Sequence, residues 1–216
     1  MKSSNYNLEK LSSKELLDLA KFVVTENFKH HVGTDDPVEY ECAINCIYAD
    51  EQGYFDKAQI FVSKGFDRSI IGSIRVLRWN YIDVLPIQRI FGINPLDIDD
   101  SPNCRPIWHI GRFAIKKGSG DVNLLKQLMV CAIASVCEDE NAIAYAECDC
   151  KLLRVLAALG INAHPLGNAV NYLGSGTIPI RMTYGNLIDF YCKHKFIVPK
   201  GILGTNDTKH ENYTLV

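Results

Sequence analysis

WHIGRFAI, residues 108–115, has the composition of a β-strand but carries Trp108, His109 and Arg112 among its apolar residues. In a regular strand successive side chains point to opposite faces. His109, Gly111 and Phe113 then share one face, and Trp108, Ile110, Arg112 and Ala114 share the other. An imidazole and a guanidinium are out of place in hydrocarbon unless each has a partner. The alternation predicts that one of the two serves a reactive face while the other ties the strand to a neighbouring loop.

The segments around this strand set its context. Upstream, AQIFVSKG (58–65) and SIIGSIRVLRW (69–79) are β-rich runs joined by a short turn with Gly65 and Asp67, the signature of a hairpin. Before them, Ser12 and Glu15 form a capping box. Leu16, Leu17, Ala20, Val23 and Val24 follow at helical spacing, predicting a helix over about 12–28. A second helix is expected from Asp36 as cap and Pro37 as first residue to about 49. Downstream come a helix over 121–138, a strand over 141–149, a helix over 151–160, a closing hairpin around Ser175 and Gly176, and a last helix in GNLIDFYCKHK. A short first strand near residues 4–9 completes the series. Alternating strands and helices in the second half imply an α/β chain with a mixed sheet. Residues 1–203 are expected to form one domain, with 204–216 as a polar, disordered tail.

Composition narrows the partners. The 216 residues are 47% apolar, enough for one substantial core. With 23 basic against 25 acidic residues, no general field favours nucleic acid or anionic lipid, so a charged ligand must be met locally. The start lacks a secretory layout, and the longest apolar run, 128–137, is too short to span a bilayer. A cytoplasmic protein is expected. The eight cysteines mostly lie in apolar segments and read as free thiols. The C-x-C of Cys148 and Cys150 and the C-x-x-x-C of Cys42 and Cys46 lack a second pair at zinc-ligand spacing, so no metal is expected.

Three stretches together resemble a known family. They are IIGSIRVL with Arg75, PIWHIGRFAI with Trp108, Arg112 and Phe113, and LLRVLAALGINAHPLGNAVNYLGSGTIPI. They are similar to the GNAT acyltransferase superfamily, and within it to the acyl-homoserine-lactone synthases and long-chain N-acyl amino acid synthases. Those enzymes carry G-x-x-R-L, W-E-x-S-R-F and a Gly-rich hairpin at these places. The resemblance covers about residues 58–182. It implies the GNAT-like acyl-CoA N-acyltransferase fold, a central mixed sheet flanked by helices, in which strands 4 and 5 splay apart to seat a thioester. It also implies an acyl group delivered by acyl-CoA or by the phosphopantetheine of acyl carrier protein to a small amine or amino acid. Three departures stand out: His109 replaces glutamate and Gly111 serine, the N-terminal segment lacks the lactone synthases' S-adenosylmethionine pattern, and KKGSGDVN is shorter than the R-G-x-G-x-G turn that holds pyrophosphate.

By the resemblance, the backbone around Phe113, Ala114 and Ile115 polarises the acyl carbonyl. Lys116, Lys117, Gly118, Ser119 and Gly120 precede a helix and form a candidate phosphate cradle, unless Asp121 caps that helix and repels an anion. His109 reads either as a general base or as a hydrogen-bonded core histidine. Arg75 and Arg112 read either as carboxylate or phosphate grips or as buried partners of Asp97, Asp99 or Asp100. Glu147 and Asp149 are candidates for holding or deprotonating the amine, or else solvated strand ends. A covalent route through Cys148 would need a lowered thiol pKa that apolar surroundings oppose. Two rival functions remain: a non-catalytic GNAT-fold module binding an acyl or CoA ligand, and an autoinducer synthase.

Overall fold

The computed structural model describes residues 6–30, 37–98, 105–119 and 121–203. The chain runs through β1 (Asn7–Lys10), α1 (Leu16–His30), α2 (Pro37–Tyr54), β2 (Ala58–Lys64), β3 (Ile70–Arg78), α3 (Pro86–Phe91), β4 (Ile107–Ile115) and α4 (Val122–Ile133). It continues with β5 (Ile143–Asp149), α5 (Cys150–Ala158), β6 (His164–Pro165), β7 (Val170–Tyr172), β8 (Ser175–Thr183) and α6 (Tyr184–His194). The expected elements are all present. α2 runs past its expected end, and α3 and β6 add to the series. Asp36, Asp99, Asp100, Cys104, Gly120 and the 204–216 tail lie outside the described residues.

One eight-stranded sheet orders the strands β1-β2-β3-β4-β5-β8-β6, with β7 on β8. All pairs are antiparallel except β4 with β5. That parallel pair follows from the crossover through α4, which supplies the helical connection that parallel neighbours need. Its ladder covers only Ile107 to Ile110 against Ile143 to Ala146. Beyond this point the two strands part.

Alternation along the strands feeds two layers. On one face Phe61, Ile74, Val76, Trp108, Ile110, Ala144 and Ala146 pack under α4, α5 and α6. On the other, Ile60 and Val62 meet α1, while Leu77, Ile107, Ile143 and Tyr145 meet Leu85 and Ile87 at the start of α3. Helix α1 earns its place through Leu16, Leu19 and Val23, which recur on one stripe and are nearly inaccessible. The alanines of β5 are accounted for by close helix packing: Ala144 is fully buried in that layer.

β4 departs from regular geometry, and this overturns the expected facing of its side chains. Arg75 pairs with Gly111 and Ser73 with Ala114, so two residues of β4 oppose one of β3. Arg112 occupies the bulge with φ +54°, a backbone conformation uncommon outside glycine. The extra residue inverts the alternation downstream. Phe113 and Ile115 join the α4 layer, whereas Ala114 joins the α1 layer. His109 and Arg112, expected on opposite faces, therefore come to one face.

Candidate functional site

The polar side chains of β3, β4 and β5 converge with the end of α2. Arg75 donates through Nη1 to Glu51 Oε1 at 2.6 Å, and Arg112 donates through Nε to the same oxygen at 2.6 Å. Arg112 Nη2 also reaches Asp50 Oδ2 at 2.9 Å, and Asp50 accepts a two-pronged contact from Arg89 on α3 at 2.8 and 2.5 Å. Arg75 and Glu51 are wholly buried, and the Arg75 guanidinium lies over the Tyr54 ring, 4.9 Å from its centroid. Arg112 is held by Asp50 and Glu51 of α2 and not by Asp97; the other two expected partner acids, Asp99 and Asp100, lie outside the described residues.

His109 sits between this cluster and Glu147. Arg75 Nη2 lies 2.9 Å from His109 Nδ1, and His109 Nε2 lies 2.9 and 3.1 Å from the two Glu147 carboxylate oxygens. A guanidinium can only donate, so Nδ1 accepts and the ring proton sits on Nε2, donated to Glu147. Burial lowers the His109 pKa, and the nearby Arg75 and Arg112 charges act in the same direction against the pull of Glu147. The imidazole is neutral and fully buried. Burial also opposes the charge on Arg112, yet Glu51 overcomes it and holds that guanidinium above its ordinary pKa.

The glycine after His109 follows from the same geometry. A Cβ on Gly111 would stand 3.1 Å from His109 Cε1 and 3.2 Å from Arg75 Nη2, tighter than side chains normally pack. An imidazole bonded to Arg75 thus favours glycine two positions on, since any Cβ there would push the ring or the guanidinium aside by a few tenths of an ångström, which links the two departures at 109 and 111.

Where β4 and β5 part, a cleft of about 550 Å³ opens. Phe113, Ala114, Ile115, Lys116 and Gly118 of β4 and its following turn line one side, with Glu147, Cys148 and Asp149 on the other. The β4–β5 ladder no longer uses the facing backbone here, the arrangement that lets main-chain groups serve a ligand. Glu147 is about one-tenth exposed, at the boundary between the cleft and the His109 network. Arg112 also lines the cleft. Arg75 and His109 do not, so neither touches a ligand there directly. Cys148 lines the cleft with its thiol pushed up to about 12 by burial, first of all, and by Asp149, which disfavours a nucleophilic thiolate.

The expected phosphate cradle is occupied from within. Asp121 accepts from the amides of Asn123 and Leu124 at 2.8 and 3.3 Å, capping α4 with its own carboxylate. Lys117 N donates to the buried Glu26 at 2.7 Å, and Lys117 Nζ reaches the Lys29 carbonyl at 2.6 Å. Asp149 in turn caps α5 through Leu152 N at 2.6 Å. Lys117 is turned toward α1 and is not among the residues lining the cleft.

Sequence reasoning missed Asp50, Glu51 and Glu26. Two of the three carried a signal in phase: Glu51 falls on the stripe of Ile44 and Ile47, and Glu26 on that of Leu19 and Val23. An acid on an apolar stripe is a buried acid, and a buried acid implies a partner.

A scan of protein-family models finds no match, and a comparison with curated protein sequences finds none either. Solved structures do match. FeeM, an N-acyl amino acid synthase from uncultured soil microbes, superposes with TM-score 0.60 at 11% identity over 88% of this chain and 97% of FeeM. An acetyltransferase of the GNAT family from Staphylococcus aureus Mu50 gives 0.53 at 13% identity, covering 83% and 99% of the two chains. The AHL synthase LasI gives 0.50 at 12% identity, covering 83% and 89%. This chain has the fold those acyltransferases share. Among the described residues no helix is long and apolar enough to cross a membrane.

Proposed function

We propose that this GNAT-fold chain is an N-acyltransferase that moves an acyl group from a pantetheine thioester to a small amine by direct attack. The observation that carries the reading is Glu147, a carboxylate at the point where β4 and β5 part, oriented by the Nε2 proton of a neutral, buried His109. Glu147 takes a proton from the incoming ammonium. The freed nitrogen lone pair forms the N–C bond, the C–S bond breaks, and the sulfur leaves with its electron pair and is protonated to the thiol. An amide, a thiol and one released proton balance the reaction. The backbone of Phe113 to Ile115 borders the developing oxyanion. His109 acts as a positioning residue. Its Nδ1 lone pair is engaged by Arg75, so it is not the base.

The donor this reading favours is acyl carrier protein over free CoA. The amides at the start of α4 that would receive a pyrophosphate are engaged by Asp121, and the buried Glu26 adds a second carboxylate at the same turn. Asp121 repels a polyanion, whereas the charge of Glu26 is offset by Lys29 at 3.1 Å. An acyl carrier protein makes side contacts that do not depend on this turn.

Thiol release from decanoyl-CoA and from decanoyl-acyl carrier protein, with a panel of primary amines, tests the reading. Release faster than in buffer is expected, and Glu147→Gln should slow it by about 100-fold or more. A protein that binds the donor without releasing thiol is a binding module, and undiminished turnover in Glu147→Gln removes the assigned base. Turnover that requires S-adenosylmethionine would instead mark an autoinducer synthase.

A further inference from the structure

The charges around the cleft are unequally available to a substrate. At its deep end Arg75, Arg89 and Arg112 stand against Asp50, Glu51 and Glu147, with His109 neutral between them. The set balances. Arg112, the one guanidinium of the three that lines the cleft, is committed to two carboxylates at 2.6 and 2.9 Å. The remaining lining charges are the carboxylates Asp121 and Asp149, Glu26, which is paired with Lys29 at 3.1 Å, and the exposed Lys116 and Lys151, whose point charges sit in high dielectric and pair weakly.

The uncharged polar groups of the β7–β8 hairpin point to the same conclusion. Ser175 donates to the Tyr172 carbonyl at 3.2 Å, and Ser175 and Thr177 share a hydrogen bond at 2.9 Å. With their protons engaged inside the hairpin, these two buried hydroxyls have oxygen lone pairs left to offer. Beside Glu147, the wall accepts hydrogen bonds more than it donates them. An ammonium or amine meets complementary groups. A substrate carboxylate would be desolvated next to Glu147, where the lining guanidinium, Arg112, is already committed and the lysines Lys116 and Lys151 are solvent-exposed.

We infer that the acceptor is a primary amine lacking an α-carboxylate, and that the cleft discriminates against free amino acids. The inference rests on the acyl-transfer reading of the same cleft. Matched pairs differing only in the carboxylate test it: phenethylamine with phenylalanine and putrescine with ornithine, each with decanoyl-CoA and decanoyl-acyl carrier protein in turn. In both pairs the amine's kcat/KM should exceed that of its amino acid by at least about tenfold. Asp50→Asn, which takes one carboxylate from Arg112, should narrow the gap by about threefold or more. If that variant does not fold, the wild-type ratio decides alone. Equal or reversed ratios with thiol released overturn the inference while leaving acyl transfer standing; silence with every acceptor removes both.

Discussion

The two faces of the sheet at β3–β5 solve the same burial problem with opposite chemistry. Under α4 and α6 the contacts are hydrocarbon, Ile74 and Val76 against Leu124, Leu128 and Met129. Under α2 they are ionic, Arg75 and Arg112 against Glu51 and Asp50. Hydrocarbon packing is nondirectional, so a lost side chain costs its own transfer energy and cavity. An ion cluster is directional and shared. Removing one member strands the others in a medium that cannot solvate them. The first face stabilises the sheet, and the second also fixes where Glu147 points.

Glu51→Ala presses hardest on that difference, because one oxygen of Glu51 serves two guanidinium groups. Urea denaturation should register a loss of about 3–5 kcal/mol. Acyl transfer should fall with it, since Arg75 then no longer holds His109. A loss under 1 kcal/mol would mean that water reaches the cluster. Leu128→Ala on the opposite face should cost about 2–4 kcal/mol, with kcat retained in whatever fraction is folded. A selective loss of kcat there would show that the hydrocarbon face also sets the site.

How far these two faces could be read in advance differs for a physical reason. The hydrocarbon face announces itself through periodicity: Leu124 and Leu128 are four apart on α4, and Ile74 and Val76 two apart on β3. The polar face depends on a bulge at Arg112, and nothing in WHIGRFAI shows that its arginine adopts φ +54°. Without the bulge, His109 and Arg112 separate to opposite faces. Its ionic partners come from α2, more than fifty residues upstream, where Glu51 lay in phase with Ile44 and Ile47 but without a visible counterpart. Of the residues named through the family resemblance, Phe113 to Lys116 and Gly118 line the cleft, whereas Lys117 turns toward α1. The occupation of the helix start by Asp121 was legible as a capping rule.

A smaller effect separates charge from capping at that helix start. Asp121→Ala should cost about 1 kcal/mol through loss of the α4 cap, whereas Asp121→Asn retains a good cap and should change stability by only a few tenths. Both remove a negative charge from the turn. Isothermal titration should find tighter CoA binding in the asparagine variant than in the wild type. Unchanged affinity would place the nucleotide elsewhere and weaken the argument for a carrier-protein donor.

The smallest effect concerns the junction between the ionic cluster and the cleft. Burial lowers the folded-state pKa of His109 below its ordinary 6.5, so the folded chain declines a proton that the unfolded chain accepts. Between those two values the unfolded state binds more protons, and stability falls as the pH drops below about 6.5. Glutamine at 109 can donate to Glu147 and accept from Arg75 through its amide, with nothing to titrate. His109→Gln should therefore lose about 1 kcal/mol less than the wild type between pH 7.5 and 5.5, the other histidines cancelling in the comparison. Parallel slopes would mean that the imidazole titrates as it does in the unfolded chain, and a wild type that gained stability on acidification relative to His109→Gln would mean that it is protonated in the fold. Nδ1 could then no longer accept from Arg75, and the neutral link between the arginine cluster and Glu147 would be replaced by an imidazolium–carboxylate pair, which a general base at Glu147 would have to break before it could take a proton.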